Sequence, residues 1–319
     1  MILPSLGSLE AAADLVHCVI PPTPQIRWPL LSARTGAEVW VKHENHLPVG
    51  AFKVRGGLIY MDELRRREPQ VAGVIAATRG NHGQSVAFAA SRAGLRSLIV
   101  VPHGNSPEKN AAMRALGAEL IEHGQDFQDA HEYAVQLAGE RRLHMVRSFD
   151  ETLLRGVASC ALELFRSVPA LDTVYVPIGM GSGICAAIAA REALGLRTEI
   201  VGVVAARAPA YALSFAAGQP IAAGVGDTIA DGVACRIPDP AAVGIIRKGA
   251  VRVVTVEEEE IEAAMRHLFS DTHNVAEGAG ATPLAALLQE KDRMRGRRVA
   301  LILTGGNVDR DVFARVLAL

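Results

Sequence analysis

The sequence predicts an α/β protein built on parallel strands covered by helices. Three observations carry this reading. Short apolar, β-branched runs punctuate the chain. Alanine-rich stretches with helical spacing lie between most of them. Glycines close several of those stretches. Parallel strands are buried on both faces, so they read as continuous hydrophobic runs rather than alternating ones.

Taken in order, the first expected strand is Val39–Lys42. Val74–Ala77, Ser97–Val101 and Glu119–Ile121 follow as compact apolar runs. The expected helices among them are Gln84–Ala93, Glu108–Leu116 and Asp126–Glu140. Gly94 and Gly117 stop the first two, and Pro107 precedes the charged first turn Glu108-Lys109. Leu153–Phe165 is the next helix, then strand Thr173–Val176, helix Ile184–Leu194 stopped by Gly195, and strand Glu199–Val203. Strand Val251–Val256 precedes the acidic run Glu257 to Glu260, which opens helix Glu258–Phe269 because the helix dipole favours carboxylates there. Helix Ala281–Lys291, strand Val299–Leu303 and helix Asp309–Leu317 complete the series. The basic segment Arg293 to Arg298 reads as a solvated turn.

Composition narrows the function. The 319 residues carry 33 Lys plus Arg against 34 Asp plus Glu, a net charge of −1. That balance argues against nucleic-acid and acidic-membrane partners, which attract basic surfaces. Aromatics are 4% of the chain, too few for base-stacking platforms. No apolar run reaches the ~18 residues of a membrane span. The N-terminus lacks the basic and apolar regions of a secretory signal. Cys18, Cys160, Cys185 and Cys235 form no C-x-x-C pair, so neither zinc nor a disulfide framework is expected, and the cytoplasm is the expected compartment. The length allows two domains or one large one.

Four segments carry chemistry, each after a strand or in a glycine-rich turn. In Pro48 to Gly57, Lys53 lies between glycine turns beside Phe52, which suits a Schiff-base nucleophile; a lone lysine there is also an ordinary surface residue. Thr78-Arg79-Gly80-Asn81-His82-Gly83 closes a strand and opens a helix, either as an anion site or as a plain N-cap turn. Gly179-Met180-Gly181-Ser182-Gly183 suits a phosphate, since glycines let backbone N–H groups approach the anion. It is not a P-loop, because no Gly-Lys-Ser/Thr follows. Thr304, after the last strand, could meet a ring nitrogen or simply cap the strand.

In order and spacing these segments resemble the fold-type II pyridoxal-phosphate enzymes, the tryptophan synthase β-like fold, in the branch of serine/threonine dehydratases and serine racemases. Ala51-Phe52-Lys53-Val54-Arg55-Gly56 is similar to that family's Ser-Phe-Lys-x-Arg-Gly block, with Ala51 replacing serine. Gly80-Asn81-His82-Gly83, Ala230-Asp231-Gly232 and Thr304-Gly305-Gly306-Asn307 match in order, and Glu277 stands where the family starts a helix near the ring. The resemblance implies pyridoxal 5'-phosphate held on Lys53, which then serves as base for the substrate's α-proton. It places Phe52 beside the ring, Asn81 at the phenolic oxygen, Gly179, Met180, Gly181, Ser182 and Gly183 around the phosphate, and Thr304 at the pyridine nitrogen. A hydroxyl there leaves the ring a weaker electron sink than a carboxylate would, which suits fast loss of a β-leaving group. Thr78, Arg79, Gly80, Asn81 and His82 would hold the substrate carboxylate, with His82 alternatively structural.

Two departures qualify the resemblance. Arg79 replaces a small residue that the racemase uses as a base on the second face; an arginine is a poor base, so racemisation is expected to be slow. It either pairs with a protein carboxylate outside the cleft or faces the substrate inside it. After Val203 the acidic ligands of the family's metal binders are missing, so no metal site is expected. The resemblance stops soon after Asn307, so the regulatory domain of biosynthetic threonine dehydratases is not expected.

The resulting expectation is two open parallel-sheet domains with the cofactor in the cleft between them. Residues 1–70 and 150–319 form the large domain, and residues 71–149 a small mobile one. The expected reaction is dehydration and deamination of a β-hydroxy amino acid, L-threonine or L-serine by default and phenylserine or hydroxyaspartate as alternatives. The resemblance implies a homodimer, with no nucleic-acid or membrane partner. A non-catalytic nucleotide- or amino-acid-binding protein is the alternative of another class.

Overall fold

The computed structural model describes residues 2–319. The chain opens with α1 (Leu6–His17), β1 (Gln25–Arg27), α2 (Pro29–Thr35), β2 (Glu38–His43) and α3 (Lys53–Arg67). A second group follows: β3 (Gly73–Ala77), α4 (Asn81–Arg92), β4 (Arg96–Val101), α5 (Pro107–Ala115), β5 (Glu119–Glu122), α6 (Phe127–Arg141) and β6 (His144–Met145). Next come α7 (Glu151–Ser167), β7 (Thr173–Pro177), α8 (Ser182–Ala193), β8 (Glu199–Ala205), α9 (Ala210–Ala217) and α10 (Pro240–Gly249). The chain closes with β9 (Arg252–Val256), α11 (Glu258–Thr272), α12 (Gly278–Gln289), α13 (Lys291–Met294), β10 (Arg298–Leu303) and α14 (Arg310–Ala318).

Two sheets result. The larger runs β1-β2-β10-β7-β8-β9, parallel except for β1. The smaller runs β5-β4-β3-β6, all parallel. Every residue of β3 and of β7 is buried, as two-sided helix cover requires. The predicted α/β class and all eight expected strands are present. Val54 and Leu58 of α3 share an apolar core with Val74 of β3, Val86 of α4 and Ile99 of β4. No helix among the described residues is long and apolar enough to cross a membrane.

The departures from expectation are local. β1 and β6 are too short to leave a pattern. Helices α1, α2, α3, α9, α10 and α13 also went unforeseen. The consequential one is α3. Lys53 does not lie in a turn; it opens a helix whose next turn contains Gly56 and Gly57. Those glycines permit close packing rather than breaking the helix. A Cβ on Gly56 would stand 2.7 Å from the Leu153 carbonyl of α7, and one on Gly57 would stand 2.4 Å from Ser85 Oγ of α4.

The strand order positions the site. The C-terminal ends of β3, β7 and β10 run directly into Thr78, the Gly179–Gly183 loop and Thr304. Ligands in open parallel sheets collect at such ends.

Candidate active site

A cleft of about 1000 Å³ lies where these ends converge, and all thirteen residues singled out from the sequence line it. Phe52 and Lys53 reach it from the start of α3, Thr78 to His82 from the start of α4, and Gly179 to Gly183 from the start of α8. Thr304 closes the wall after β10. Two contacts pin the Lys53 segment to that wall. The Phe52 N–H donates to the Thr304 carbonyl at 3.0 Å, and Ala51 bridges to Gly305.

Lys53 Nζ donates to Ser182 Oγ at 3.2 Å and stands 5.2 Å from the Phe52 ring centre. It has no ion-pair partner among the described residues, whereas the buried Lys42 sits on Glu163. Burial pushes the Lys53 amine down to about 8, against the pull of Glu277. An amine so placed is a usable base and nucleophile near neutral pH.

Opposite stands the loop before α8. Gly181 has φ +98°, a left-handed value that favours glycine. A Cβ on Gly179 would stand 2.2 Å from the Gly232 carbonyl. Tyr211 Oη donates to the Met180 carbonyl at 2.9 Å and fixes the loop from behind. Ser182 and Gly183, the first residues of α8, line the cleft, and a helix start without a side-chain cap suits an anion.

Thr78 Oγ1 accepts from Gly80 N at 3.0 Å and Gly83 N at 3.3 Å, which bends the segment into its helix start. His82 is buried, with Nε2 3.4 Å from the Val146 carbonyl. Burial, then the nearby Lys53, pushes its pKa down to about 4, so the ring is neutral at working pH. Arg79 is exposed on the cleft wall and makes no hydrogen bond or ion pair among the described residues. The pairing with a protein carboxylate outside the cleft is therefore not formed.

A polar chain crosses the cleft floor. Asn307 Nδ2 donates to the Val49 carbonyl at 2.9 Å and to Asn81 Oδ1 at 2.8 Å. Asn81 Nδ2 donates to Glu277 Oε1 at 2.7 Å. Lys109 pairs with Asp231 at 3.0 Å beside them. Lys109 escaped sequence reasoning, where it reads only as part of a charged first turn; its place after the β4 end is the signal that could have found it. Glu277, Asp231 and Asn307 stand in quoted motifs without assigned roles. Of the loop from Ala222 to Ile237, which walls the cleft, only Ala230-Asp231-Gly232 carried a signal.

A family model described as pyridoxal-phosphate dependent enzyme matches residues 18–305. The chain belongs to this family. It is 37% identical over 280 residues to an L-threonine ammonia-lyase of Geobacter sulfurreducens, covering 87% of this chain and 69% of that protein. It is 30% identical over 319 residues to an L-threo-3-hydroxyaspartate ammonia-lyase of Saccharomyces cerevisiae, covering 100% and 98%. A solved maize serine racemase superposes with a TM-score of 0.92 at 25% identity, covering 99% of this chain and 98% of that one. This is a fold-type II pyridoxal-phosphate enzyme, and the alternative of a non-catalytic binding protein gives way to it.

The residues present fit the cofactor. Lys53 is an amine without a carboxylate partner, and Gly179 to Gly183 line the cleft as a loop in which Gly179 and Gly181 have no room for a side chain. Thr304 offers a hydroxyl with no hydrogen-bond partner among the described residues.

Proposed function

We propose that this enzyme is a β-hydroxy amino acid ammonia-lyase, with L-threonine or L-serine as its default substrate. The reaction removes H from Cα and OH from Cβ. The enamine so formed tautomerises and is hydrolysed, so the water lost is regained and a 2-oxo acid and ammonia leave.

When bound, pyridoxal phosphate supplies an aldehyde carbon and a conjugated ring that accepts the electron pair of the broken Cα–H bond. The cradle from Gly179 to Gly183 holds its phosphate. Phe52 flanks the ring, and Asn81 donates to its phenolic oxygen. Thr304 meets the ring nitrogen with a hydroxyl, which favours elimination over transamination. Backbone N–H groups from Thr78 to His82 hold the substrate carboxylate, and residues 71–149 close over it. Lys53 carries the α-proton, and its lowered basicity is the observation that supports this role best. His82 is a neutral structural ring. The family resemblance supports a cytoplasmic homodimer, and no metal ion is assigned a role.

A second reading concerns the side chain of the substrate. Arg79 is on the cleft wall with an unpaired guanidinium, which suits a β-carboxylate such as that of hydroxyaspartate.

One experiment tests both. Lys53→Ala should abolish turnover and the cofactor's absorption band, and a variant with native spectrum and activity removes Lys53 from the mechanism. Wild type and Arg79→Ser are then assayed for 2-oxo acid release from threonine, serine, phenylserine and hydroxyaspartate. If Arg79 reads an acidic side chain, the variant loses about tenfold or more in kcat/KM for hydroxyaspartate, matching a charge-assisted bond of about 1.5–3 kcal/mol, and little for threonine. Equal losses exclude that role, and ready formation of D-serine contradicts the account of the second face.

A further inference from the structure

Glu277 occupies the N-cap of α12, where a polar side chain usually folds back onto the helix's own free N–H groups. It makes no such bond. Instead its buried carboxylate crosses to the other sheet's first helix and accepts from Asn81. Asn81 is held from its other end by Asn307, so the geometry sets both ends of the amide: oxygen to Asn307, nitrogen to Glu277. One N–H of Asn81 remains for the cleft. Gly305 makes room for the carboxylate, since a Cβ there would stand 2.7 Å from Glu277 Oε1. The charged groups around Glu277 are Lys109 on α5, Asp231 in the turn at Asp231–Val233, and Lys53 on α3.

We propose that Glu277 is a positioning residue whose carboxylate anchors the Asn81 amide toward the cofactor and whose protonation loosens it. An ionised carboxylate accepts the Asn81 N–H. A protonated carboxyl offers only a neutral acceptor, so the bond to Asn81 weakens and the amide is held mainly by Asn307. Burial pushes Glu277 up to about 7, Lys109 and the Asn81 hydrogen bond hold it lower, and Asp231 raises it. The exchange therefore falls near neutrality, and each neighbour moves it in a stated direction. This rests on the placement of Asn81 at the phenolic oxygen proposed above.

The test follows the absorption spectrum of the holoenzyme, and the affinity of the apo-enzyme for pyridoxal phosphate, across pH on both sides of neutrality. Wild type should show a spectral transition near 7. Glu277→Gln keeps an acceptor oxygen and cannot titrate, so it should lose the transition while binding the cofactor within about threefold of wild type. Lys109→Gln should move the midpoint up by about one unit and Asp231→Asn should move it down. A merely structural Glu277 produces no such opposed pair. Persistence of the transition in Glu277→Gln, or coincident midpoints in the two neighbour variants, overturns the inference. Asn81→Ala separates it from the reading beneath it. If that variant keeps wild-type spectrum and affinity, the placement of Asn81 fails. If it alters both while Glu277→Gln still titrates, only the inference about Glu277 fails.

Discussion

A histidine near the buried Lys53 invites a catalytic reading, and His82 shows why position alone does not justify one. Its ring is buried against a backbone carbonyl, and burial holds it neutral. His43 is in the same state, accepting from the Trp28 indole at 3.0 Å on Nε2 and pushed down to about 4 by burial and then by His46. Both fall below the ordinary value of 6.5, so between 6.5 and 4 the unfolded chain binds more protons than the folded one. Stability from these rings is complete above 6.5 and lost as pH falls through 4. Glu277 acts with the opposite sign between 4.5 and 7, but it is one group against two. Urea unfolding should therefore show stability dropping on acidification. His82→Gln should shallow that slope by up to about 1.4 kcal/mol per pH unit, one proton's worth. An unchanged slope would mean that the ring is already charged in the folded enzyme.

Among the elements, the strands were the most legible, because β-branched runs buried on two faces carry their signal locally. Helix α3 was hidden for a physical reason. Val54, Leu58, Met61 and Leu64 recur on it at helical spacing, but Gly56 and Gly57 read locally as turn residues, and only the close approach of α7 and α4 explains them. Helix α10 had a readable start in Asp239-Pro240, where the carboxylate accepts from Ala241 N at 2.8 Å. The element proposed to hold the cofactor phosphate is the loop before α8. Gly179→Ala would drive a methyl group into the Gly232 carbonyl, and neither backbone can yield without opening the cradle. Pyridoxal phosphate affinity should fall by tenfold or more, about 1.4 kcal/mol, as measured by titration of the apo-enzyme. Gly244→Ala, where nothing lies within 4 Å of the new Cβ, is the control and should bind normally. Equal affinities for the two variants would place the phosphate elsewhere.

Across the whole molecule, one buried ionic cluster joins the chain's first segment to its later helices. Arg55 Nε donates to Glu44 at 2.6 Å, its Nη1 to Ser159 at 2.9 Å, and its Nη2 to Glu163 at 3.0 Å. Lys42 also reaches Glu163 and donates to the Thr23 carbonyl at 2.7 Å. Two cations thus meet two carboxylates, all of them buried. Burial alone would raise Glu163, but Arg55 and Lys42 together hold it below the usual carboxylate range. Arg55 lies two residues after Lys53, so the cluster also fixes the first turn of α3. Arg55→Met strands the buried Glu44 carboxylate and leaves Glu163 to Lys42. It should cost about 3–5 kcal/mol of stability in denaturant unfolding. A loss under about 1 kcal/mol would show that water reaches the cluster.

The sequence by itself determined the class of fold, eight of the ten strands and the thirteen residues that line the cleft, because each of those signals is local. A β-branched run, a glycine loop or a lysine beside a phenylalanine is legible without its neighbours. Only the tertiary structure decided how those residues are used. Arg79 has no protein partner, His82 is neutral, and Lys109 and Glu277 join the site from segments far apart in the chain. These properties depend on burial and on charges brought within a few ångströms by folding. Desolvation and Coulomb terms act through space and leave no trace in the order of residues.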